Sequence, residues 1–303
     1  DGGLTQASGN PLHSTQGTMT GLIDLGMLIG NAEYVELGRR LYENGLRPWR
    51  SSFGWAKEYK NYGDPNHWHY NSGEANNTGD YIESALLLAR YGYSKYYEDT
   101  ECFVRNGLLA SQVLNTDWIV QSDEPDTRDI VYSNMRKRAH GAFVFTTPNG
   151  YQHYHTDLVG GALQSLSEVY HGLITAKDNR RVINMFFDSD NDGLIVQSGL
   201  PVEGKITITA STSGPTSIHM PSWIDRQQVS LTQKCAVTPL VWSGNELDLG
   251  YMPCGTRSVV TFPLPKQKTE ENLPSFPEPF TIHWKGNFVT SIEPVPEDRI
   301  RLY

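Results

Sequence analysis

Glu74 stands alone among rings and amides in "NHWHYNSGEANNTGD", residues 66–80, with His67, Trp68, His69 and Tyr70 before it and Asn76 and Asn77 after it. Three further segments repeat this mixture: "NPLHST" with His13, "SSFGWAKEY" with Trp55 and Glu58, and "GYQHYHTDLVGG" with His153, His155 and Asp157. Two carboxyl groups in one pocket are the minimum for cutting a glycosidic bond. One protonates the departing oxygen; the other attacks the anomeric carbon or activates water. Nearby rings desolvate an acid and raise its pKa, so it can hold a proton near neutrality. The candidate catalytic residues are therefore Glu58, Asp157 and Glu74. The candidate substrate contacts are His13, Trp55, His67, His69, Asn76, His153 and His155.

Plainer readings stand beside these. Glu58, just before Lys60, also reads as a solvated surface acid, and Asp80 as a first-turn acid favoured by the helix dipole. Glu74 and Asp157 each precede a helix and could serve its start. His153 and His155 alternate as strand neighbours do, so one of the two would face a pocket. "DSDNDG", residues 188–193, imitates a calcium loop, but the twelfth position is Gly199 where an acid is needed, so it reads as a β-turn.

Composition narrows the partner. Lys and Arg number 25 against 34 Asp and Glu, a formal charge of -9 that argues against nucleic acid. The 16 Tyr and 7 Trp, with many Asn, Gly and His, suit a polar uncharged ligand such as a carbohydrate. No apolar run approaches the ~18 residues of a membrane helix, so no membrane partner is expected, and the N-terminus has no signal-peptide pattern. Cys102, Cys235 and Cys254 show no metal-ligand spacing, and no cofactor or metal is expected. Cys102 reads as a core thiol, whereas Cys235 and Cys254 could pair.

Helical hairpins must position these loops. Met19, Leu22, Ile23, Met27 and Leu28 keep helical spacing from Thr18 to Ile29, stopped by Gly30. Asn31 can cap a partner helix that ends at Gly45. Tyr81, Ile82, Ala85, Leu86 and Ala89 form a second stripe ending at Gly92, followed by a partner with Tyr96, Tyr97, Val104 and Leu108. Tyr34, Glu36, Asn44, Gly45 and Leu46 recur as Tyr96, Glu98, Asn106, Gly107 and Leu108, which marks a repeated unit. A further helix covers roughly residues 157–174. After about residue 180 the period changes to two, in "KITITAST", "ELDLGYM" and "RSVVTFPL". The expected architecture is an (α/α)6 toroid, or part of one, over residues 1–179. An antiparallel β-sandwich with a last strand pair follows over residues 180–303.

"HMPSWID" and the closing "IHWKGNFVTSIEPVPEDRIRLY" resemble stretches of the β-L-arabinofuranosidase family of glycoside hydrolases, six-hairpin glycosidases. The resemblance implies an (α/α)6 barrel with β-sandwich modules and a retaining enzyme on plant-type or related glycans. It also implies a zinc-held thiolate nucleophile with a glutamate acid/base. The family's Gly-Glu-x-Cys reads here as Gly73-Glu74-Ala75-Asn76, so Glu74 matches a ligand and Asn76 replaces the cysteine. Glu58 falls at the acid/base position, and Asp157 or His155 at that of the nucleophile. With no cysteine in either segment, the thiolate–zinc machinery does not carry over. Three readings follow: a hydrolase using a carboxylate pair; a lyase using His153, Tyr154 or His155 as base with Asn76; and a glycan-binding protein that has lost the nucleophile.

Overall fold

The computed structural model describes residues 2–4, 10–117, 119, 124–128, 133–150, 152–153 and 159–295. Helix α1 (Leu12–Ile29) starts well before the expected Thr18, because Leu12 and Gln16 extend the buried stripe through Met19 and Ile23. The weak helix formers Ser14, Thr15 and Gly17 hide that start in the sequence. His13 is consequently in the first turn of a helix rather than in a loop. In α2 (Ala32–Arg40), Asn31 Oδ1 accepts from Glu33 N at 2.9 Å, the expected cap. Helix α3 (Ala75–Tyr91) ends at Gly92, which adopts φ 130, and α4 (Tyr96–Phe103) follows. The short α5 (Met135–Ala139) and α6 (Val159–Gly172) complete the described helices.

The repeat read from sequence is real in three dimensions. Both α2 and α4 loosen at their C-terminal ends into a π turn, over Leu41–Gly45 and Val104–Leu108, each containing an Asn-Gly pair. Helix α1 packs against α2 and α3, and α3 against α4 and α6, so α1, α3 and α6 stand in a row. Between the hairpins the buried Arg50 guanidinium lies 4.4 Å from the Tyr42 ring centroid, 5.1 Å from Tyr81 and 5.0 Å from Phe103. The faces of these rings attract the cation.

A short pair, β1 (Phe145–Thr146) and β2 (Gln152–His153), precedes α6. Two large sheets come after it. The strands, in chain order, are β3 (Ile174–Lys177), β4 (Arg180–Ile183), β5 (Ser189–Asn191), β6 (Leu194–Ser198), β7 (Lys205–Ala210), β8 (Gly214–His219), β9 (Ser230–Gln233), β10 (Ala236–Thr238), β11 (Val241–Ser243), β12 (Glu246–Met252) and β13 (Arg257–Thr261). One sheet orders them β10-β9-β13-β7-β6-β5 and the other β11-β12-β8-β4-β3. A third sheet is β14 (Lys266–Glu271), β15 (Phe280–Lys285) and β16 (Phe288–Glu293).

The described pairings are antiparallel except β4 with β8, which is parallel, a departure from the wholly antiparallel expectation. It arises because the chain leaves this sheet after β4, builds β5 to β7 in the other, and re-enters in its original direction. "DSDNDG" ends in the turn expected, with Asp192 (φ 48) and Gly193 (φ 74) joining β5 to β6, while Ser189–Asn191 are strand. Cys235 and Cys254 are exposed free thiols. Cys102 is packed against the core, and burial pushes its thiol up to about 12.

Ile206, Ile218, Leu247 and Val260 of the large sheets share one core with Leu86, Val169 and Phe186. A second cluster joins Phe53 and Trp55 of the helical part to Leu273, Phe280, Ile282 and Trp284. The third sheet is thus seated on the helical part through apolar contact.

Candidate active site

Short antiparallel bridges gather the leading ends of the row of helices. Pro11, just before α1, pairs with Tyr59; Lys57 pairs with Gly73, just before α3; and Gly73 pairs with Thr146 of β1. Glu58 is held on both sides, since its N–H donates to Ser72 O at 3.1 Å and its carbonyl accepts from Leu12 N at 2.9 Å. Loops far apart in the chain therefore meet around Glu58.

The Glu58 side chain is 8% exposed rather than solvated. His69 Nδ1 lies 2.5 Å from its Oε2, and the Ser72 hydroxyl donates to the same oxygen at 3.1 Å. A wall of rings fixes the imidazole. His67 stacks on it at 5.0 Å with 13° between planes, Tyr62 lies at 5.1 Å, and Tyr59 and Phe145 meet it edge-on at 5.4 and 6.0 Å. A buried carboxyl paired with an imidazole can hold, release and retake one proton. On the neighbouring residue, Lys57 Nζ donates to Tyr70 O at 2.5 Å and Ser275 Oγ at 2.6 Å. Burial among these neutral partners lowers the ammonium to about 8.

Glu74 occupies the N-cap position of α3, yet its side chain caps nothing; Oε1 accepts instead from Asn76 Nδ2 at 2.9 Å. Gly73 is needed here because a Cβ would overlap the Trp55 indole nitrogen and fall 2.6 Å from the Ala56 carbonyl oxygen. Glu74 shares its surroundings with Glu58. The Tyr59 hydroxyl is raised by burial first, then by Glu58, and also by the charge of Glu74. His13 Nδ1 lies 2.6 Å from Asp80 Oδ2, and this bond, then the Asp80 and Glu74 charges, raise His13 against the effect of burial. Asp80 is not the first-turn acid expected, for α3 starts at Ala75 and Asp80 lies in its second turn. Burial raises its carboxyl more than His13 lowers it.

Of the residues proposed from sequence, Glu58, His67 and His69 form one cluster; the charge of Glu74 reaches the Tyr59 hydroxyl at its edge, whereas His13 is bonded to Asp80. Asn76 is wedged toward α6, where a Cβ on Gly161 would overlap its Oδ1. Trp55 is corrected: at 3% exposure, with its indole N–H donating to Thr146 O at 2.8 Å, it supports the Gly73 loop and offers no face to a sugar. His153 pairs through its backbone with Phe145 in β1–β2. His155 and Asp157 lie outside the described residues. Sequence reasoning passed over Tyr59, Tyr62 and Ser72, although "EYKNY" and "NSGE" set all three within a few residues of the acids.

The zinc–thiolate centre of the resembling family does not fit the described donors. Where that pattern has a cysteine, Asn76 directs an amide N–H at the Glu74 oxygen. An amide supplies no thiolate to hold zinc or to attack a sugar. Cys102 is half-buried on α4, and Cys235 and Cys254 sit in the β part.

No family model matches the sequence, and no curated protein does. Solved structures do match. A GH127 β-L-arabinofuranosidase from Geobacillus stearothermophilus T6 superimposes with a TM-score of 0.59 at 13% identity, over 89% of this chain and 45% of that one. A second GH127 β-arabinofuranosidase gives 0.61 at 12%, over 90% and 46%, and a glycoside hydrolase gives 0.61 at 12%, over 92% and 51%. The chain has the fold of these glycoside hydrolases. It spans about half their length. The resemblance read from "HMPSWID" and the closing segment is thus matched by the course of the backbone, at an identity too low to carry residue roles.

Proposed function

We propose that the chain is a glycoside hydrolase, or the site-bearing part of one, with Glu58 as general acid/base. The observation that carries the reading is the Glu58 carboxyl, buried and gripped by His69 and Ser72, in a fold shared with glycoside hydrolases. Glu58 gives its proton to the glycosidic oxygen as the bond to the anomeric carbon breaks. A second carboxylate, Glu74 or Asp157, then bonds to that carbon, or draws a proton from the water that does. In the first case Glu58 later takes a proton from the hydrolytic water. His69 orients Glu58 and shares its proton. In this reading residues 1–179 belong to an (α/α)6 toroid that carries the chemistry, and residues 180–303 add a supporting β-sandwich. The substrate is a plant-type or related glycan, with β-arabinofuranosides the first to try, since two fold relatives bear that name.

Glu58→Gln should lower kcat on an unactivated linkage by about 10²–10⁴-fold while the sugar still binds. The deficit should shrink on an aryl glycoside whose leaving group needs no proton. Equal turnover by Glu58→Gln and the native chain on the unactivated linkage would take Glu58 out of the mechanism. Oligosaccharide binding by the native chain without turnover of any linkage would favour a glycan-binding protein instead.

A further inference from the structure

A cavity of about 420 Å³ lies at the seam between α4, the turn after β8 and the β14–β15 face, and it shares no wall with Glu58 or Glu74. Its two indoles are Trp223 of "HMPSWID" and Trp284 of "IHWKGN", segments to which the active-site reading gives no task. Trp284 is held upright by its N–H, which donates to Thr269 Oγ1 at 2.9 Å. Gly286, at φ 62, leaves room for the Trp223 ring, since a Cβ there would come within 3.2 Å of it. Beside them, Gln267 is the cross-strand partner of Trp284.

The remaining wall is rich in acceptors. Glu271 already accepts from Ser52 N at 2.9 and 3.0 Å, Glu98 from Ser222 Oγ at 2.6 Å, and Asp99 from the Tyr42 hydroxyl at 2.7 Å. Their charges are met by protein donors while lone pairs remain. Asn287 closes the inner end of this wall: it is 8% exposed, and its Nδ2 donates to Glu101 Oε1 at 3.2 Å.

We infer that this cavity is a second glycan site that takes a neutral sugar unit. The C–H face of the sugar lies on the half-buried Trp223 indole, with Trp284 forming the wall beside it, and its hydroxyls donate to the carboxylate oxygens. Four carboxylates (Glu98, Asp99, Glu270 and Glu271) against the single guanidinium of Arg47 turn away uronates and other anionic sugars. The volume falls in the range of ligand pockets, about 300–1,000 Å³. The inference is separate from the hydrolase reading, because binding here needs no turnover.

Calorimetry on the full chain carrying Glu58→Gln, titrated with arabinotetraose, xylotetraose and cellotetraose, tests it. At least one should bind, and Trp223→Ala should weaken that step at least tenfold. Gln267→Arg, on an exposed strand position, should do the same by placing a guanidinium among the carboxylates, and it controls for loss of packing at Trp223. The inference is overturned if no neutral oligosaccharide binds, if neither change weakens the binding, or if only oligogalacturonate or spermidine binds in a manner sensitive to these changes. Turnover retained by Glu58→Gln would sink the hydrolase reading and leave this one intact.

Discussion

His13 and Asp80 come from adjacent helices, and neither was assigned the other as partner from the sequence. Their bond has a consequence that pH reveals. The His13 imidazole is raised above its ordinary value, chiefly by the hydrogen bond to Asp80, and the Asp80 carboxyl is raised by burial. A group whose pKa rises on folding holds its proton more tightly in the native state. Its contribution is therefore complete below the unfolded value, ~6.5 for His, and is lost as pH climbs through the folded one. Asp80 has the same sign from its own lower reference. His13→Ala should accordingly cost most stability in mildly acidic solution and progressively less in alkaline solution. Urea midpoints of the native and His13→Ala chains between about pH 5 and pH 9 measure this; a constant gap would show that the pair does not titrate as described. At this scale the sequence told which residue types gather but not which are buried. Glu58 sits between Lys57 and Lys60 and looks like a surface acid, because the partners that enclose it, His69 and Ser72, arrive on a later loop. Trp55 looked like a stacking platform because an indole in a polar loop gives no sign that Thr146 takes its N–H.

Helices were legible because their signals are local: a stripe every third or fourth residue, Asn31 at a start, Gly30 and Gly92 at ends. The recurring Asn-Gly pairs announced a duplicated hairpin. The π turns that hold them were not legible, since opening a helix by one residue depends on what packs against it. How closely α3 and α6 approach was equally hidden, and it bears on the site. A Cβ on Gly161 would overlap Asn76 Oδ1 and come within 3.0 Å of its Cγ, and Asn76 is the residue that donates to Glu74. Gly161→Ala should therefore push the amide off Glu74 and cost about 1–3 kcal/mol, the usual range for overpacking. Asn76→Ala removes the obstacle, so the double variant should be more stable than the sum of the single losses requires. Urea unfolding of the two single variants and the double variant decides; strict additivity would mean that Gly161 and Asn76 do not meet.

Across the whole molecule, the change from helices to strands could be read from the change of period, but the joining of the parts could not. The parallel pairing of β4 with β8 follows from the order in which the chain visits two sheets. The seating of β14–β16 on the helical part depends on Asn106, the asparagine of the second Asn-Gly pair. Asn106 Nδ2 donates to Asn287 O at 2.8 Å, and its Oδ1 accepts from Val289 N at 2.9 Å, so one side-chain amide bonds to the turn before β16 and to the strand itself. Both backbone groups belong to buried residues. Asn106→Ala strands a buried carbonyl and a buried N–H together, and each unmet group costs about 1–3 kcal/mol. A loss of about 2–4 kcal/mol is expected, with faster amide exchange at Val289 than in the rest of β16. Asn106→Asp should fail as well, because a carboxylate cannot donate to Asn287 O and lies near Glu101, which Asn287 already contacts. Denaturant unfolding with residue-resolved hydrogen exchange tests both variants. If Asn106→Ala leaves the unfolding midpoint and the Val289 exchange rate unchanged, the apolar cluster around Phe53, Trp55 and Phe280 suffices to dock the sheet, and the amide bridge is dispensable.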